Sequence, residues 1–275
     1  MTTGTFGGDT ISFTHRRGEG TTVVLLTGCA MAAASWRLVT DQLPGPWLTY
    51  DRPGLGGTAW PGHPDLATEA QRVTDLVERE IGSPVVLVAH SMASFHAEAV
   101  ALTRPELVAG IVLVDPSVEP DPWWARVPVG WLPRLLKVVL HLPLVPRIAS
   151  WFYRHGVARQ SLHPERADDA GWREPYRSPE AIVTGAAEWL SYPRQAADLN
   201  ALHVALPRID VPTIVLDAPR YLSARELLHL SSGFGAIQRL DVPDSSHIMM
   251  LDRPSAIIDA IVRIRGESGG FPGRE

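Results

Sequence analysis

The chain has 275 residues, of which 45% are hydrophobic and 20% are charged, and its formal net charge is −5. This length and composition suit one large domain with a sizeable core. They exclude a disordered polymer, a collagen-like fibre and a coiled coil. The sequence has no block of basic residues, so no nucleic-acid partner is expected.

The sequence also indicates where the protein works. Cys29 is the single cysteine, so no internal disulfide can form and a reducing compartment is permitted. The first residues, MTTGTFGGDTISF, lack the basic and apolar regions of a secretion signal. The most apolar segment, 127–153, is interrupted by Arg134, Lys137, Arg147 and several prolines. We therefore predict a cytoplasmic protein without a membrane span.

Short apolar runs alternate with segments of helical periodicity along the first part of the chain. The runs are uncharged and apolar on both faces, as strands are when helices cover both sides of a parallel sheet. They are residues 23–26, 47–50, 85–88 and 111–114. A helix is predicted between the second and third runs, where Ala70, Val73, Val77 and Ile81 share one face.

The alternation resumes after residue 200. The predicted elements are a strand at 213–216, a helix at 223–230, a strand at 236–242 and a helix at 254–266. This order is typical of an α/β fold with a mostly parallel, doubly wound sheet. The stretch between the two parts holds six of the nine tryptophans and no convincing strand. We predict a core domain of residues 1–116 and 201–275, with a helical cap at 117–200.

The sharpest motif is VAHSMAS at residues 88–94, which follows an apolar run and precedes a helical pattern. A serine between small residues at a strand-to-helix turn is typical of a nucleophile elbow. The strained turn leaves room only for small side chains two residues before and after the serine, and Ala89 and Ala93 meet that requirement. The alternative is that Ser91 only caps the following helix.

Three further segments follow predicted strands in a familiar order and spacing. They are residues 27–30 (TGCA), 51–58 (DRPGLGGT) and 244–254 (DSSHIMMLDRP). Together with the elbow, they make the chain similar to the α/β-hydrolase superfamily over nearly its whole length. The resemblance implies the α/β-hydrolase fold and catalysis by a serine and a histidine without a cofactor.

The resemblance assigns roles to the residues that match its motifs. Ser91 would be the nucleophile, and His247 would be the general base that deprotonates it. The backbone N–H groups of Cys29 and Met92 would form the oxyanion hole, a role that needs no particular side chain.

The third member of the triad departs from the family pattern. Most members place the acid in the loop after the strand predicted here at 213–216, and the nearest aspartate is Asp217, at the end of that strand. Some members instead take the acid from the end of the strand before the lid, which is Asp115 here. We predict Asp115 as the acid and keep Asp217 as the alternative. An aspartate at position 115 can also serve only to cap the turn.

Other classes of site receive no support from the sequence. The segment 54–59 (GLGGTA) fits a dinucleotide fingerprint, but residues 60–62 (WPG) follow where a helix would have to begin. There is no zinc-protease motif, no cysteine cluster and no Walker motif. Neither a metal nor a nucleotide cofactor is predicted.

We predict a cofactor-independent serine hydrolase that cleaves a hydrophobic ester, lactone or thioester through an acyl-enzyme. Its partner would be a small hydrophobic acyl-type substrate, with Trp123 and Trp131 as candidate pocket residues. Two alternatives stay open: a biosynthetic lyase or cyclase that uses the same serine and histidine, and a catalytically inactive binding protein on this fold. The sequence does not define the acyl group or the oligomeric state.

Overall fold

The computed structural model describes residues 2–6, 8–62, 64–126, 131–139, 151, 156, 158–169, 171–172, 176, 178–219 and 222–268. Its centre is an eight-stranded sheet. The strands in chain order are β1 (Thr2–Phe6), β2 (Asp9–Arg16), β3 (Val23–Leu26), β4 (Trp47–Asp51), β5 (Val85–His90), β6 (Val108–Val114), β7 (Thr213–Asp217) and β8 (Gln238–Asp241). They lie side by side in the order β1-β2-β4-β3-β5-β6-β7-β8.

The strands β3 to β8 are parallel to one another, whereas β2 pairs antiparallel with both β1 and β4. The parallel strands coincide with the six predicted runs, so the predicted fold class is confirmed. No continuous apolar run in the sequence marks β1 or β2. These strands lie at one edge of the sheet and keep several residues exposed or half-exposed, so they do not form a continuous apolar run.

Helices cover both faces of the sheet. In chain order they are α1 (Arg37–Thr40), α2 (Leu66–Leu76), α3 (Ala93–Thr103), α4 (Leu132–Val139), α5 (Arg166–Asp169), α6 (Pro179–Ala205), α7 (Ala224–Gly233), α8 (Met249–Asp252) and α9 (Pro254–Ser268). A π-helical turn, Val77–Ile81, continues α2, and short 3₁₀ helices lie at Ala33–Trp36, Pro105–Leu107 and Trp123–Arg126.

Alternate residues of the central strands pack into two hydrophobic cores, one on each face of the sheet. In β3, Val24 and Leu26 belong to the core that includes residues of α2 and α3. Val23 and Leu25 belong to the core that includes residues of α1 and α9. All four side chains are buried, and a strand buried on both faces needs an apolar residue at every position.

The connection between β6 and β7 contains the segment predicted as a helical cap. Its described residues form α4, α5 and α6 but no strand. The side chain of Ser178 accepts a hydrogen bond from the backbone N–H of Ala181 and caps α6, and Pro179 occupies the first turn. Because α6 continues to Ala205, the predicted boundary at residue 200 falls inside a helix. None of the helices in the described ranges has the length and apolar character needed to cross a membrane.

Candidate active site

Ser91 lies in the turn between β5, which ends at His90, and α3, which begins at Ala93. Its backbone φ of +53° is in the left-handed region, where a residue with a Cβ is strained. Ala89 and Ala93 are fully buried on either side of it. Gly28 packs against the turn so closely that a Cβ there would lie 2.5 Å from His90 Nδ1. The turn therefore has the backbone of a nucleophile elbow.

His247 and Asp115 continue a hydrogen-bonded chain that begins at Ser91. His247 follows β8, and its Nε2 lies 3.0 Å from Ser91 Oγ. Its Nδ1 lies 2.5 Å from Oδ2 of Asp115, so Nδ1–H donates to the carboxylate and Nε2 can accept the serine proton. Burial alone would raise the pKa of Asp115, but the hydrogen bond from His247 and the charge on that ring outweigh burial and lower the pKa.

Asp217, the alternative acid, has other partners. It is the last residue of β7, and its Oδ2 accepts hydrogen bonds from Arg239 Nη2 at 2.7 Å and from the backbone N–H of Leu222 at 3.1 Å. Asp115 instead follows β6 directly, with a positive φ of +41°. The structure thus brings Asp115, and not Asp217, against His247.

His90 contacts the histidine loop although the sequence gives it no role beyond packing. Its side chain is fully buried, and its Nε2–H donates to the backbone carbonyl of His247 at 2.7 Å. Burial, reinforced by the neighbouring His247 ring, lowers the pKa of His90 to about 3. The ring is therefore neutral at pH 7, and its hydrogen bond fixes the backbone of His247 relative to the elbow.

The loop that carries His247 is also bound to the connection between β6 and β7. The hydroxyl of Ser246 and the backbone N–H of Ile248 both donate to the carbonyl of Gln160. The buried carboxylate of Asp252 accepts from the backbone N–H of Ser246 at 2.8 Å and from that of Leu162 at 2.9 Å. Asp252 belongs to the 244–254 motif, so this motif holds the loop in place as well as supplying the histidine.

A buried ion pair lies beneath the loop that carries Cys29. Arg52 Nε and Glu188 Oε1 are 2.6 Å apart, and both side chains are almost completely buried. Arg52 Nη2 donates to the carbonyl of Gly28 at 2.6 Å, while Oε2 of Glu188 accepts from the backbone N–H of Ala30 at 2.6 Å. The backbone on both sides of Cys29 is thus fixed by charged side chains. Arg52 comes from the 51–58 motif, and Glu188 comes from α6.

The two predicted oxyanion donors lie close to the serine. Cys29 lines the same cavity as Ser91, and Met92 follows Ser91 in the turn, with its side chain in the hydrophobic core. Burial and the nearby Glu188 carboxylate raise the pKa of the Cys29 thiol, so the sulfur stays protonated at neutral pH and is a poor nucleophile.

Ser91 and His247 open into a cavity of about 580 Å³. Most of its described lining is apolar or aromatic, including Met31, Trp124, Ile182, Trp189, Tyr192 and Ile248. Glu119 adds one carboxylate to this lining. Within the ranges that the structure describes, no group of three or more histidine, cysteine or acidic residues could hold a metal ion.

The predicted pocket residues Trp123 and Trp131 lie outside this cavity, with exposed fractions of 78% and 60%. Trp123 and Trp124 are consecutive in the short helix Trp123–Arg126, where neighbouring side chains point about 120° apart. Trp124 therefore lines the cavity while Trp123 faces solvent. The sequence alone does not show which side of such a helix faces inward, so it does not distinguish Trp124 from Trp123 as a pocket residue.

Comparison with known proteins identifies the family. A sequence model of the alpha/beta hydrolase family matches residues 23–260, so the chain belongs to this family. A curated relative, the lipase LipV from Mycobacterium tuberculosis, is 29% identical over 100 residues. That match covers 36% of this chain and 38% of the lipase, so it spans well under half of the relative's length.

Solved structures share the fold over nearly the full chain. Cfl2 from Burkholderia cenocepacia has a TM-score of 0.73 and 21% identity, and the match covers 95% of this chain and 94% of Cfl2. A thermophilic esterase from Thermogutta terrifontis has a TM-score of 0.72 and 20% identity, with 95% of both chains covered. The epoxide hydrolase CorEH has a TM-score of 0.74 and 17% identity, with 97% of this chain and 98% of CorEH covered. At these identities the likeness concerns the fold alone.

Proposed function

We propose that the protein is a cofactor-independent serine hydrolase that cleaves esters, lactones or thioesters through an acyl-enzyme. One observation carries the proposal: Ser91, His247 and Asp115 form a continuous hydrogen-bonded chain that ends at a serine in a strained elbow. This arrangement of nucleophile, base and orienting acid defines the triad mechanism. The curated relative that matches over 100 residues is a lipase, which agrees with this reaction class.

The first half of the reaction acylates the serine. Ser91 Oγ attacks the substrate carbonyl carbon as its proton moves to His247 Nε2, and Asp115 stabilises the imidazolium that forms. The N–H groups of Cys29 and Met92 stabilise the negative charge on the former carbonyl oxygen. The tetrahedral intermediate then collapses: the bond to the leaving oxygen or sulfur breaks, and the leaving group takes the proton from His247.

The second half of the reaction releases the acid. Water attacks the acyl carbon while His247 accepts one of its protons, and the same oxyanion donors stabilise the second tetrahedral intermediate. The bond to Ser91 Oγ breaks, and the serine regains its proton from His247. The mostly apolar lining of the cavity favours an acyl group that is itself apolar.

A fluorophosphonate tests the nucleophile directly. The reagent should add covalently to Ser91 of the wild-type protein, fail with Ser91→Ala, and react very slowly with His247→Ala, because the base must activate the hydroxyl. Ser117→Ala is the matched control, since the Ser117 hydroxyl lies 3.5 Å from Ser91 Oγ and is the competing nucleophile. Intact-mass spectrometry measures each adduct. Loss of the adduct in Ser117→Ala but not in Ser91→Ala would contradict the proposal.

Assays with aryl esters of increasing acyl length distinguish hydrolysis from lyase or cyclase chemistry. A hydrolase with this cavity should show rates that depend on acyl length, because each methylene group bound in an apolar pocket is worth roughly 1 kcal/mol or more. Shortening Trp124 or Trp189 should change that dependence, whereas Trp123→Ala, outside the cavity, should not. Background rates with every ester, despite labelling of Ser91, would argue for the non-hydrolytic alternative.

A further inference from the structure

Glu119 places a carboxylate in a cavity whose lining is otherwise mostly apolar. The other titratable side chains in the described lining are Cys29, His90, Tyr192 and His247, and no lysine or arginine is among the described lining residues. The described part of the cavity thus offers Glu119 no positively charged side chain to pair with.

The backbone and one oxygen of Glu119 are held in place. Asn200 Nδ2 donates to its carbonyl at 3.0 Å, and the hydroxyl of Tyr192 donates to Oε1 at 3.1 Å. Burial raises the pKa of Tyr192, and the charge of Glu119 raises it further, so the phenol keeps its proton. An ionised carboxylate has about four acceptor positions, and the Tyr192 hydroxyl uses one of them. The remaining positions are available to a donor or cation that enters the cavity.

Three aromatic residues line the same cavity as this carboxylate. The ring centroids of Trp124 and Trp189 are 6.1 Å apart, and those of Trp124 and Tyr192 are 6.3 Å apart. All three residues line the cavity together with Glu119. The faces of tryptophan and tyrosine rings attract cations, and clusters of such rings bind quaternary ammonium groups. The carboxylate and the rings thus favour the same kind of ligand.

The carboxylate lines the same cavity as the serine, so one substrate can contact both. The Ser117 hydroxyl is 3.5 Å from Ser91 Oγ, and Ser117 interacts with the side chain of Tyr192. Tyr192 in turn contacts Glu119. Only two side chains therefore separate the nucleophile from the carboxylate.

We propose that Glu119, with Trp124, Trp189 and Tyr192, binds an ammonium group on the substrate, so that the natural ester carries a positive charge. The inference rests on the proposed serine hydrolase and specifies the class of its substrate. Glu119 acts as a specificity-determining residue, and the acyl chain occupies the apolar part of the cavity.

The test compares two small alcohols of the same shape, choline and 3,3-dimethylbutan-1-ol, which differ only in the charged nitrogen. Each is used to slow the labelling of Ser91 by a fluorophosphonate. In the wild type, choline should give half-maximal protection at a concentration roughly tenfold lower than its uncharged analogue. In Glu119→Gln, the two concentrations should come within threefold of each other.

Asp121→Asn is the matched control, because it removes one negative charge from an exposed position two residues away that does not line the cavity. It should keep the wild-type difference between the two alcohols. Equal protection by both alcohols in the wild type, or an unchanged difference in Glu119→Gln, would overturn the proposal. Absence of labelling without any alcohol would instead contradict the proposed hydrolase. In that case, calorimetric titration of wild type and Glu119→Gln with each alcohol makes the same comparison without chemistry.

Discussion

At the scale of single residues, two aspartates at the ends of neighbouring strands compete for contact with His247. Asp115 directly follows β6, and Asp217 is the last residue of β7. Asp115 leaves β6 with a positive φ and turns its carboxylate to His247, whereas Asp217 stays in β7 and pairs with Arg239. Both carboxylates lie at the same edge of the sheet, because parallel strands end together there. The backbone conformation of Asp115 therefore selects it over its neighbour.

Replacing each of these aspartates by asparagine should separate their roles. Asp115→Asn should lower kcat by about 10⁴, because the amide no longer orients the histidine or stabilises the imidazolium. Asp217→Asn should lower kcat tenfold or less. Both variants are assayed with the best aryl ester at one pH, and circular dichroism confirms that they are folded. A larger loss in Asp217→Asn would place the acid after β7 instead.

At this scale the sequence points to residues that short local motifs define. Ser91 and His247 are found because the elbow and the histidine loop each have a short, recognisable pattern. Glu188 and Glu119 carry no such pattern, since their roles depend on contacts with residues far away in the chain. The one available signal is Arg52, a charged residue that directly follows a buried strand and so needs a buried partner.

At the scale of elements, α6 contributes both to the cavity wall and to the loop that carries Cys29. The helix supplies Trp189 and Tyr192 to the cavity, and Glu188 binds Arg52 and the backbone N–H of Ala30. The position of this helix therefore affects both the cavity wall and the loop that carries Cys29, which is a predicted oxyanion donor.

Glu188→Gln tests that second contribution. The amide leaves the buried charge of Arg52 unpaired, and removing one partner of a buried ion pair commonly costs about 3–5 kcal/mol. We expect a lower denaturation midpoint and a kcat at least about tenfold lower, with a smaller change in KM, because oxyanion donors act mainly in the transition state. Glu180→Gln, in the first turn of the same helix, should match the wild type. Unchanged kcat in Glu188→Gln would show that the pair does not position the loop.

The elements themselves are predicted with unequal success. The runs that become β3 to β8 are recognisable because most are buried on both faces and therefore mostly apolar. Other features cannot be recognised in this way, namely the edge strands β1 and β2 and the end of α6. Half-exposed strands and long helices with mixed partners show no sharp change in composition.

At the scale of the whole molecule, buried polar contacts as well as apolar ones join the helices that cover the sheet to the β6–β7 connection. His96 of α3 makes one of these polar contacts: it is almost fully buried, and its Nε2–H donates to Gln195 Oε1 of α6 at 2.9 Å. Burial lowers the pKa of His96 to about 4; nearby Glu69 opposes this effect and Arg52 adds to it. The folded protein therefore holds this ring neutral at pH values where an unfolded chain would protonate it.

This difference predicts how stability depends on pH. An unfolded histidine has a pKa of about 6.5, so the unfolded state binds more protons between that value and about 4, and acidification through this range favours unfolding. Between pH 7 and pH 5, the free energy of unfolding should fall by about 2 kcal/mol more in the wild type than in His96→Gln. Urea titrations at both pH values measure it. An equal fall in the free energy of unfolding in the two proteins would contradict the buried, neutral state of this ring.

The Arg52–Glu188 pair has a consequence for exchanging parts between related enzymes. The segment between β6 and β7 resembles a module that could be replaced to change substrate preference, yet it contains the one ion-pair partner that Arg52 has among the described residues. A chimaera that imports a foreign segment without a glutamate at this position would inherit an unpaired buried guanidinium. Grafts on this scaffold should therefore retain Glu188, or replace Arg52 at the same time with an apolar residue of similar volume.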